Sequence, residues 1–259
     1  MTGELQGRTA VVTGASKGIG LAVVEALAAA GARVVAGSRR TSDALDALVA
    51  SGAVEWVGVD LAEPAAAGRL VDAAGGRIDV LVNNVGAAPV RTGGFLSVTD
   101  EDWARTVDLN LLAAVRVTRA ALPVMLEAGR GSVVTIASVN STLPDPAVID
   151  YSAGKAALLA FSKALSKEVA AKGVRVNTVS PGPVETDLWL GDKGVAATVS
   201  AASGGSAKDV IAETSGSIPS GRFSRPAEVA DLVLFLAGDR AGNITGSDFR
   251  IDGGLIPTS

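Results

Sequence analysis

The chain contains no cysteine, no histidine and a single tyrosine among its 259 residues. Without cysteine there is no disulfide, thiol nucleophile or thiolate-bound metal, and without histidine there is no Ser-His-Asp triad, imidazole base or histidine metal ligand. Proton transfer must therefore use an acid, a lysine, an arginine or the tyrosine. The formal net charge of −4 offers no basic surface to nucleic acid. We expect neither a metal nor a nucleic-acid partner.

Long apolar runs are also missing. No stretch of 18 uncharged apolar residues occurs, so no transmembrane span is expected. The N-terminal segment MTGELQGR lacks the apolar core of a signal peptide. These features predict a cytoplasmic protein without a membrane partner.

Short apolar, β-branched runs alternate along the chain with longer Ala/Leu-rich stretches of helical period. This alternation is typical of βαβ units and predicts an α/β fold with a parallel sheet of about seven strands. The predicted strands are Thr9–Thr13, Val34–Ala36, Val54–Val59, Val80–Val82, Val133–Ile136, Val174–Val179 and Phe249–Ile251. The clearest predicted helices are Gly20–Ala30, Asp100–Leu126 (with Thr99 as N-cap), Tyr151–Lys172 and one that begins at Pro226.

No linker divides the chain, so we expect one domain over residues 1–259. Residues 187–220 differ from the rest because their central part is rich in Gly, Ala and Ser and has little periodicity. Such a long insertion in a compact domain is usually a lid or is disordered. We expect it to be a substrate lid.

A glycine-rich turn, Thr13-Gly14-Ala15-Ser16-Lys17-Gly18-Ile19-Gly20, joins the first predicted strand to the first predicted helix. Glycines let the backbone turn tightly and approach a pyrophosphate, while the helix N-terminus offers free N–H groups to the phosphates. An ordinary strand–helix turn is the alternative. Its position after the first strand of a βαβ series favours dinucleotide binding.

The turn and the motifs after it resemble the short-chain dehydrogenase/reductase family, and the resemblance runs from Thr9 to Gly254. The further motifs are Asp60-Leu61, Asn83-Asn84-Val85-Gly86, Asn110, Ser138, Tyr151-x-x-x-Lys155, Pro181-Gly182 and Thr186. The resemblance implies a Rossmann-type, doubly wound sheet with helices on both faces. It also implies a nicotinamide dinucleotide, hydride transfer between an alcohol and a carbonyl, and a homotetramer.

The Tyr151/Lys155 pair carries the expected chemistry. Residues four apart share a helix face, and an ammonium nearby would lower the pKa of the phenol from about 10 towards a useful value. Ser138 follows the fifth strand and could donate to the substrate oxygen. The resemblance implies that Asn110 holds a water molecule that connects Lys155 to solvent. A helix kink is an alternative explanation for an Asn at this position. The expected catalytic residues are Asn110, Ser138, Tyr151 and Lys155.

The end of the second strand indicates which dinucleotide binds. An acid there would hold the ribose 2′-hydroxyl of NAD, but the sequence has Ser38, Arg39 and Arg40. These cations, with Lys17 nearby, match the 2′-phosphate of NADP(H), so NAD(H) is the less favoured cofactor. Asn83 is equally compatible with a structural role. The expected cofactor contacts are Gly14, Ser16, Lys17, Gly18, Ile19, Gly20, Ser38, Arg39, Arg40, Asp60, Leu61, Asn83, Gly86, Tyr151, Lys155, Pro181, Gly182, Val184 and Thr186.

The substrate is predicted only as a class, a partly apolar ketone or secondary alcohol such as a 3-oxoacyl thioester. Its expected contacts are Ser138, Asn140, Val148, Tyr151, Leu188 and Trp189. A non-catalytic dinucleotide sensor, an NAD-dependent alcohol dehydrogenase, and an epimerase or dehydratase remain alternatives. Apolar residues along Leu109–Leu122 and Ala156–Val169 exceed what one core face needs, which agrees with a homotetramer.

Overall fold

The computed structural model describes residues 3–258, and they contain a single seven-stranded sheet. All neighbouring strands are parallel, in the order β3-β2-β1-β4-β5-β6-β7. The strand order reverses between β1 and β4, which is where open α/β sheets bind ligands. The predicted α/β fold is confirmed. The strands are β1 Thr9–Thr13, β2 Arg33–Ser38, β3 Val54–Gly58, β4 Val80–Asn83, β5 Gly131–Ile136, β6 Val174–Pro181 and β7 Asp248–Ile251.

Helices cover both faces of the sheet, and this explains why the central strands are apolar at successive positions. Val12 faces a core completed by Val24 and Val233, whereas the next residue back, Val11, faces a second core with Val117. Side chains alternate between faces along a strand, so both faces of a doubly covered strand must be apolar. The helices are α1 Gly18–Ala29, α2 Asp43–Ala50, α3 Ala66–Asp72, α4 Asp100–Val107, α5 Ala113–Glu127, α6 Ile149–Val169, α7 Asp187–Leu190, α8 Val195–Ser203, α9 Ala207–Ser217 and α10 Pro226–Ala237.

The predicted helix over Asp100–Leu126 begins as expected but is not regular. Thr99 caps α4 in a reciprocal arrangement with Asp102. A π-helical turn over Asp108–Leu112 then separates α4 from α5. The combined helix Asp100–Glu127 is long and apolar enough to cross a membrane by length and composition alone, since an 18-residue window within it has a mean hydropathy of 1.4. Ala113, Val117, Ala121 and Met125 of this helix pack into the second core.

Residues 187–220 form regular structure, and their role as a substrate lid stays a prediction. Helices α7, α8 and α9 occupy most of it. The Ser206 side chain accepts a hydrogen bond from the Asp209 amide at 3.1 Å and caps α9. Gly204, with φ of 77°, ends α8. Weak periodicity concealed these helices because much of α8 and α9 faces solvent and little apolar surface is needed there.

Candidate active site

The glycine-rich turn lies at the carboxyl end of β1, directly before α1. Gly14 and Gly18 have φ of 65° and 56°, which favours glycine at both positions. A Cβ at Gly20 would overlap the Gly14 carbonyl oxygen, so the turn closes tightly on itself. No side chain caps α1, and its first turn has no acid. Its first N–H groups are therefore available to an anion.

Asn84 and Thr13 clamp this turn to the end of β4, an arrangement that the sequence analysis missed. The Asn84 side-chain amide donates to the backbone oxygens of Thr13 and Gly14 at 3.0 and 3.1 Å. The Thr13 hydroxyl accepts from the backbone amides of Asn84 and Val85 at 2.9 and 3.1 Å. The Asn83-Asn84 dipeptide pointed to such a contact in the sequence, but only Asn83 was predicted to be a site residue.

The Asn83 side chain is directed towards α5 and β5, and its predicted contact with the cofactor stays a prediction. The Asn83 amide nitrogen donates to Thr118 of α5 at 2.9 Å and lies 3.5 Å from the Thr135 hydroxyl of β5. Asn83 is buried, so it ties β4 to its neighbours. Its structural alternative is the one that the geometry supports.

The end of β2 presents two free cations. Arg39 and Arg40 are exposed, and no ion pair in residues 3–258 includes either. Ser38 is different, because its hydroxyl donates to the Arg40 carbonyl at 2.8 Å and accepts from the Trp56 indole at 3.0 Å. Its hydroxyl is thus held by local contacts, and its predicted contact with the cofactor stays a prediction.

Lys17, the third predicted cation, forms an ion pair. Its ammonium pairs with the Asp187 carboxylate of α7 at 3.0 Å, and both side chains are largely exposed. Ser16 accepts a hydrogen bond from the Ser42 hydroxyl through its carbonyl oxygen at 2.7 Å. Lys17 thus contacts the start of residues 187–220, and its predicted contact with the 2′-phosphate stays a prediction.

Several predicted cofactor residues line the same edge through their backbone. Leu61 and Val184 bury their side chains in the two cores. Asp60 accepts from the Ala62 amide at 3.1 Å. Gly182 donates to the Ile251 carbonyl at 3.0 Å, directly after Pro181 ends β6. Thr186 packs against Gly18, where an added Cβ would lie 3.1 Å from its methyl group.

Tyr151 and Lys155 lie one turn apart on α6, and both are buried, with 9% and 3% of their surface exposed. The Lys155 ammonium is 5.7 Å from the centroid of the Tyr151 ring and donates to the Ile136 carbonyl at the end of β5 at 2.8 Å. The predicted shared helix face is thus present. Helix α6 holds both groups beside the carboxyl ends of the central strands.

Burial shifts the pKa values of these two groups in opposite directions. Burial lowers the pKa of Lys155 from 10.5 to about 8. Burial also raises the pKa of Tyr151 above 10, which outweighs the lowering effect of the Ser138 hydroxyl. The net shift of the Tyr151 pKa is therefore upward, opposite to the direction expected from the sequence. At neutral pH the phenol is a proton donor.

Ser138 is held at the end of β5 by the residues that follow it. Its hydroxyl accepts from the Asn140 amide at 3.2 Å and lies 3.4 Å from the Asn140 side-chain oxygen. Asn140 in turn reaches the Ser152 hydroxyl of α6 at 3.5 Å. The serine is buried at 8% exposure and interacts with the Tyr151 phenol.

Asn110 occupies the π-helical turn, so the helix irregularity proposed for it is real. Its side-chain amide donates to the Ala87 and Thr106 carbonyls at 2.9 and 3.0 Å and accepts from the Ala87 amide at 3.1 Å. A Cβ on Gly86 would lie 2.8 Å from the Asn110 oxygen and 3.4 Å from the Lys155 nitrogen. Gly86 therefore keeps this cradle open. The uncapped α1 terminus, this cradle and the exposed arginine pair fit a dinucleotide.

The predicted substrate contacts differ in exposure. Val148 is buried, whereas Leu188 is 42% exposed. Trp189 packs edge-on against Phe223, with ring centroids 5.2 Å apart. Leu143 and Leu190, each 46% exposed, add apolar surface on the segments that follow β5 and β6.

Comparison with known proteins agrees with this architecture. A family model described as enoyl-(acyl carrier protein) reductase matches residues 14–256. The 3-oxoacyl-[acyl-carrier-protein] reductase FabG of Escherichia coli is 35% identical over 258 residues, which cover 97% of this chain and 98% of that protein. FabG of Thermotoga maritima is 34% identical, with 98% and 99% covered.

Two solved structures are similar over essentially their full length. L-sorbose reductase from Gluconobacter frateurii, complexed with NADPH and L-sorbose, gives a TM-score of 0.90 at 33% identity, with 100% of both chains covered. A putative NAD(P)-dependent gluconate 5-dehydrogenase from Beutenbergia cavernae, with NADP bound at low occupancy, gives 0.86 at 35% identity, with 98% of both covered.

The chain belongs to the short-chain dehydrogenase/reductase family. It is an oxidoreductase acting on carbonyl or alcohol groups, as the sequence predicted. The relatives named here are all reductases or dehydrogenases, which favours an enzyme over a non-catalytic sensor.

Proposed function

We propose that this enzyme uses NADPH to reduce a partly apolar ketone to a secondary alcohol. The observation that carries the proposal is the buried group of Tyr151, Lys155 and Ser138 at the carboxyl edge of the sheet. Because burial keeps the Tyr151 phenol protonated at neutral pH, the site is prepared to give a proton rather than to take one. Donation of a proton is what ketone reduction requires.

When bound, the dinucleotide supplies a hydride to the carbonyl carbon. The Tyr151 phenol then donates its proton to the carbonyl oxygen, which yields the alcohol and leaves a phenolate that must be reprotonated from solvent. The Ser138 hydroxyl donates to the same oxygen and stabilises its developing negative charge. Atoms and charge balance with one hydride and one proton.

Lys155 and Asn110 support this proton transfer. An ammonium beside the ring stabilises the transient phenolate. With a pKa of about 8, Lys155 can also release and regain a proton near neutral pH. Asn110 is fixed beside it through Ala87 and Thr106. In this proposal it keeps a water path from Lys155 to solvent.

The dinucleotide would be held by features along the same edge. The free N–H groups at the uncapped N-terminus of α1 would donate to the pyrophosphate. Arg39 and Arg40 would donate hydrogen bonds to the 2′-phosphate, since they are exposed and belong to none of the ion pairs found in residues 3–258. NADPH in the Gluconobacter structure and NADP in the Beutenbergia structure support the same choice of cofactor.

Apolar surface favours a 3-oxoacyl thioester or a similar ketone over a polyhydroxy ketone. Leu143, Leu188 and Leu190 expose large apolar side chains on the segments that follow the strands. The FabG relatives act on 3-oxoacyl groups by name, whereas the two solved structures are named for sugar-derived compounds. Acetoacetyl-CoA, L-sorbose and 5-ketogluconate, each tested with NADPH and NADH, will discriminate between them.

The decisive experiment for the chemistry is Tyr151→Phe. The variant should lose at least about a hundredfold in kcat, the lower part of the usual general acid–base contribution, and bind NADPH with nearly unchanged affinity. Fluorescence titration gives the affinity, and NADPH oxidation gives the rate. Retention of more than a tenth of the normal kcat would exclude Tyr151 as the proton donor.

The proposal extends to assembly, closure and location. A homotetramer is supported by Leu112, which is 37% exposed in the π-helical turn directly before α5, and by half-buried apolar residues on α5 and α6. Light scattering that gives a stable monomer would contradict it. Residues 187–220 would close over the substrate, since they carry Leu188 and begin beside the glycine-rich turn. Cytoplasmic location stays a prediction that cell fractionation can test.

A further inference from the structure

A buried ion pair lies directly before the proposed proton donor. The Asp150 carboxylate is completely buried and belongs to the first turn of α6. It accepts from the Arg91 Nε at 3.2 Å, from a terminal Arg91 nitrogen, and from the Thr106 hydroxyl at 2.7 Å. These contacts hold the pKa of Asp150 below its usual value, so the carboxylate stays charged at neutral pH.

This ion pair joins three separate segments. Arg91 lies on the loop after β4, and its second terminal nitrogen is 3.2 Å from Asp102 of α4. The Arg91 backbone amide donates to the Ala147 carbonyl, just before α6, at 2.7 Å. The Arg91 side chain is only 13% exposed, so little water screens the pair.

The same network reaches Asn110. Thr106 donates to Asp150 through its hydroxyl, while its carbonyl accepts from the Asn110 amide. One residue of α4 thus connects the start of α6 to the cradle beside Lys155. No other part of the proposed mechanism uses Arg91 or Asp150.

Stability alone is a weak reason for such a pair. Desolvation of two charges offsets much of their attraction, and well-packed apolar residues often serve as well. What an apolar substitute cannot supply is direction, because a forked guanidinium fixes its partner in angle as well as distance.

We propose that Arg91 and Asp150 are positioning residues that fix the first turn of α6, so that the Tyr151 phenol meets the substrate oxygen beside Ser138. The proposal rests on the proton-donor role of Tyr151 put forward above. It requires that breaking the pair slows the chemical step more than it weakens cofactor binding.

The test is a double-mutant cycle with Asp150→Asn, Arg91→Gln and their combination. Each single variant should lower kcat for ketone reduction by about tenfold or more, since a small misplacement of a reacting group can cost up to about a hundredfold. The Kd for NADPH should stay within about twofold. Because both changes break one interaction, the combined variant should be no slower than the slower single variant. Losses that multiply in the combined variant would overturn the proposal.

Asp79→Asn is the matched control. Asp79 is also buried and paired with two arginines, Arg77 and Arg130, each at 2.8 Å, but it lies at the opposite edge of the sheet, where it accepts from the Thr9 amide at 2.9 Å. It should lower thermal stability and leave kcat per NADPH-binding site within about twofold. An equal loss of kcat in this control would show a general effect of instability and would overturn the proposal.

Thr106→Val covers the case in which the charge variants do not fold. It keeps the side-chain shape, removes only the hydroxyl, and should lower kcat several-fold at unchanged Kd for NADPH. If Tyr151→Phe is inactive but Thr106→Val or folded Asp150→Asn keeps a normal kcat, only the positioning role is overturned. An active Tyr151→Phe would instead overturn the proposed function.

Discussion

Replacement of Lys155 by methionine should reveal how one buried ammonium contributes to the pH dependence of the free energy of unfolding. The ammonium lies in the interior at 3% exposure, and burial lowers its pKa from 10.5 to about 8. Each tenfold change in an acid constant corresponds to about 1.4 kcal/mol. The folded protein therefore carries a cost of about 3 kcal/mol for holding this proton at pH 7.

The sign follows from which state binds more protons. Below pH 8 both folded and unfolded chains hold the Lys155 proton, so the full cost is present. Between about 8 and 10.5 the folded chain releases it first, the unfolded chain binds more protons, and the free energy of unfolding rises with pH. Relative to Lys155→Met, the wild-type protein should gain about 2 kcal/mol between pH 7 and about pH 9.5.

Urea unfolding of both proteins at one protein concentration measures this difference, and the comparison cancels the other titrating groups. Lys163→Met is the matched control, because Lys163 is exposed on the same helix and also donates to a carbonyl, that of Gly246, at 2.7 Å. The expected result is a pH dependence for Lys155→Met well above that for Lys163→Met. A flat difference for Lys155→Met would refute the argument that burial dominates this lysine.

Three further outcomes are expected. Wild-type enzyme should favour NADPH over NADH at least about tenfold in kcat/KM. Arg39→Leu should remove most of that preference, since one charge-assisted hydrogen bond contributes about 1.5–3 kcal/mol. Equal use of NADH by the wild type would show that the arginines bind no phosphate. Gly154→Ala should raise the free energy of unfolding by up to about 1 kcal/mol in thermal or urea unfolding, because the added Cβ would meet only the Asn110 Cβ at 3.5 Å. A lower free energy of unfolding would mean that this contact is too close. Hydrogen exchange should be faster in α8 and α9 than in α6 and should slow when NADPH binds, whereas strong protection without NADPH would count against closure of residues 187–220.

The sequence predicted the sheet well because each central strand is buried on both faces and therefore reads as a continuous apolar run. It offered the break at Asn110 only as an alternative, since a π-helical turn keeps the composition of an ordinary helix. It also missed α8 and α9, whose exposed residues carry little periodicity.

The site was predicted in its residue types but less well in its directions. Tyr151 and Lys155 follow from a spacing of four, which a helix converts directly into proximity. Asn83 and Asn84 are adjacent in sequence, yet the Asn83 side chain contacts Thr118 and the Asn84 side chain contacts Gly14. The sequence alone does not show which of the two meets the glycine-rich turn. The raised pKa of Tyr151 depends on burial, which the motif does not encode.

The hydrogen bond from the Trp56 indole to Ser38 gives the enzyme an internal optical reporter. The indole N–H donates to a hydroxyl one residue before Arg39, and the ring is 37% exposed. Tryptophan emission depends on the polarity and charge around the ring, so a phosphate bound at Arg39 should shift or quench it. Titration of Trp56→Phe alongside the wild type would separate this signal from those of Trp103 and Trp189, and 2′-AMP compared with 5′-AMP would reveal the phosphate without any turnover.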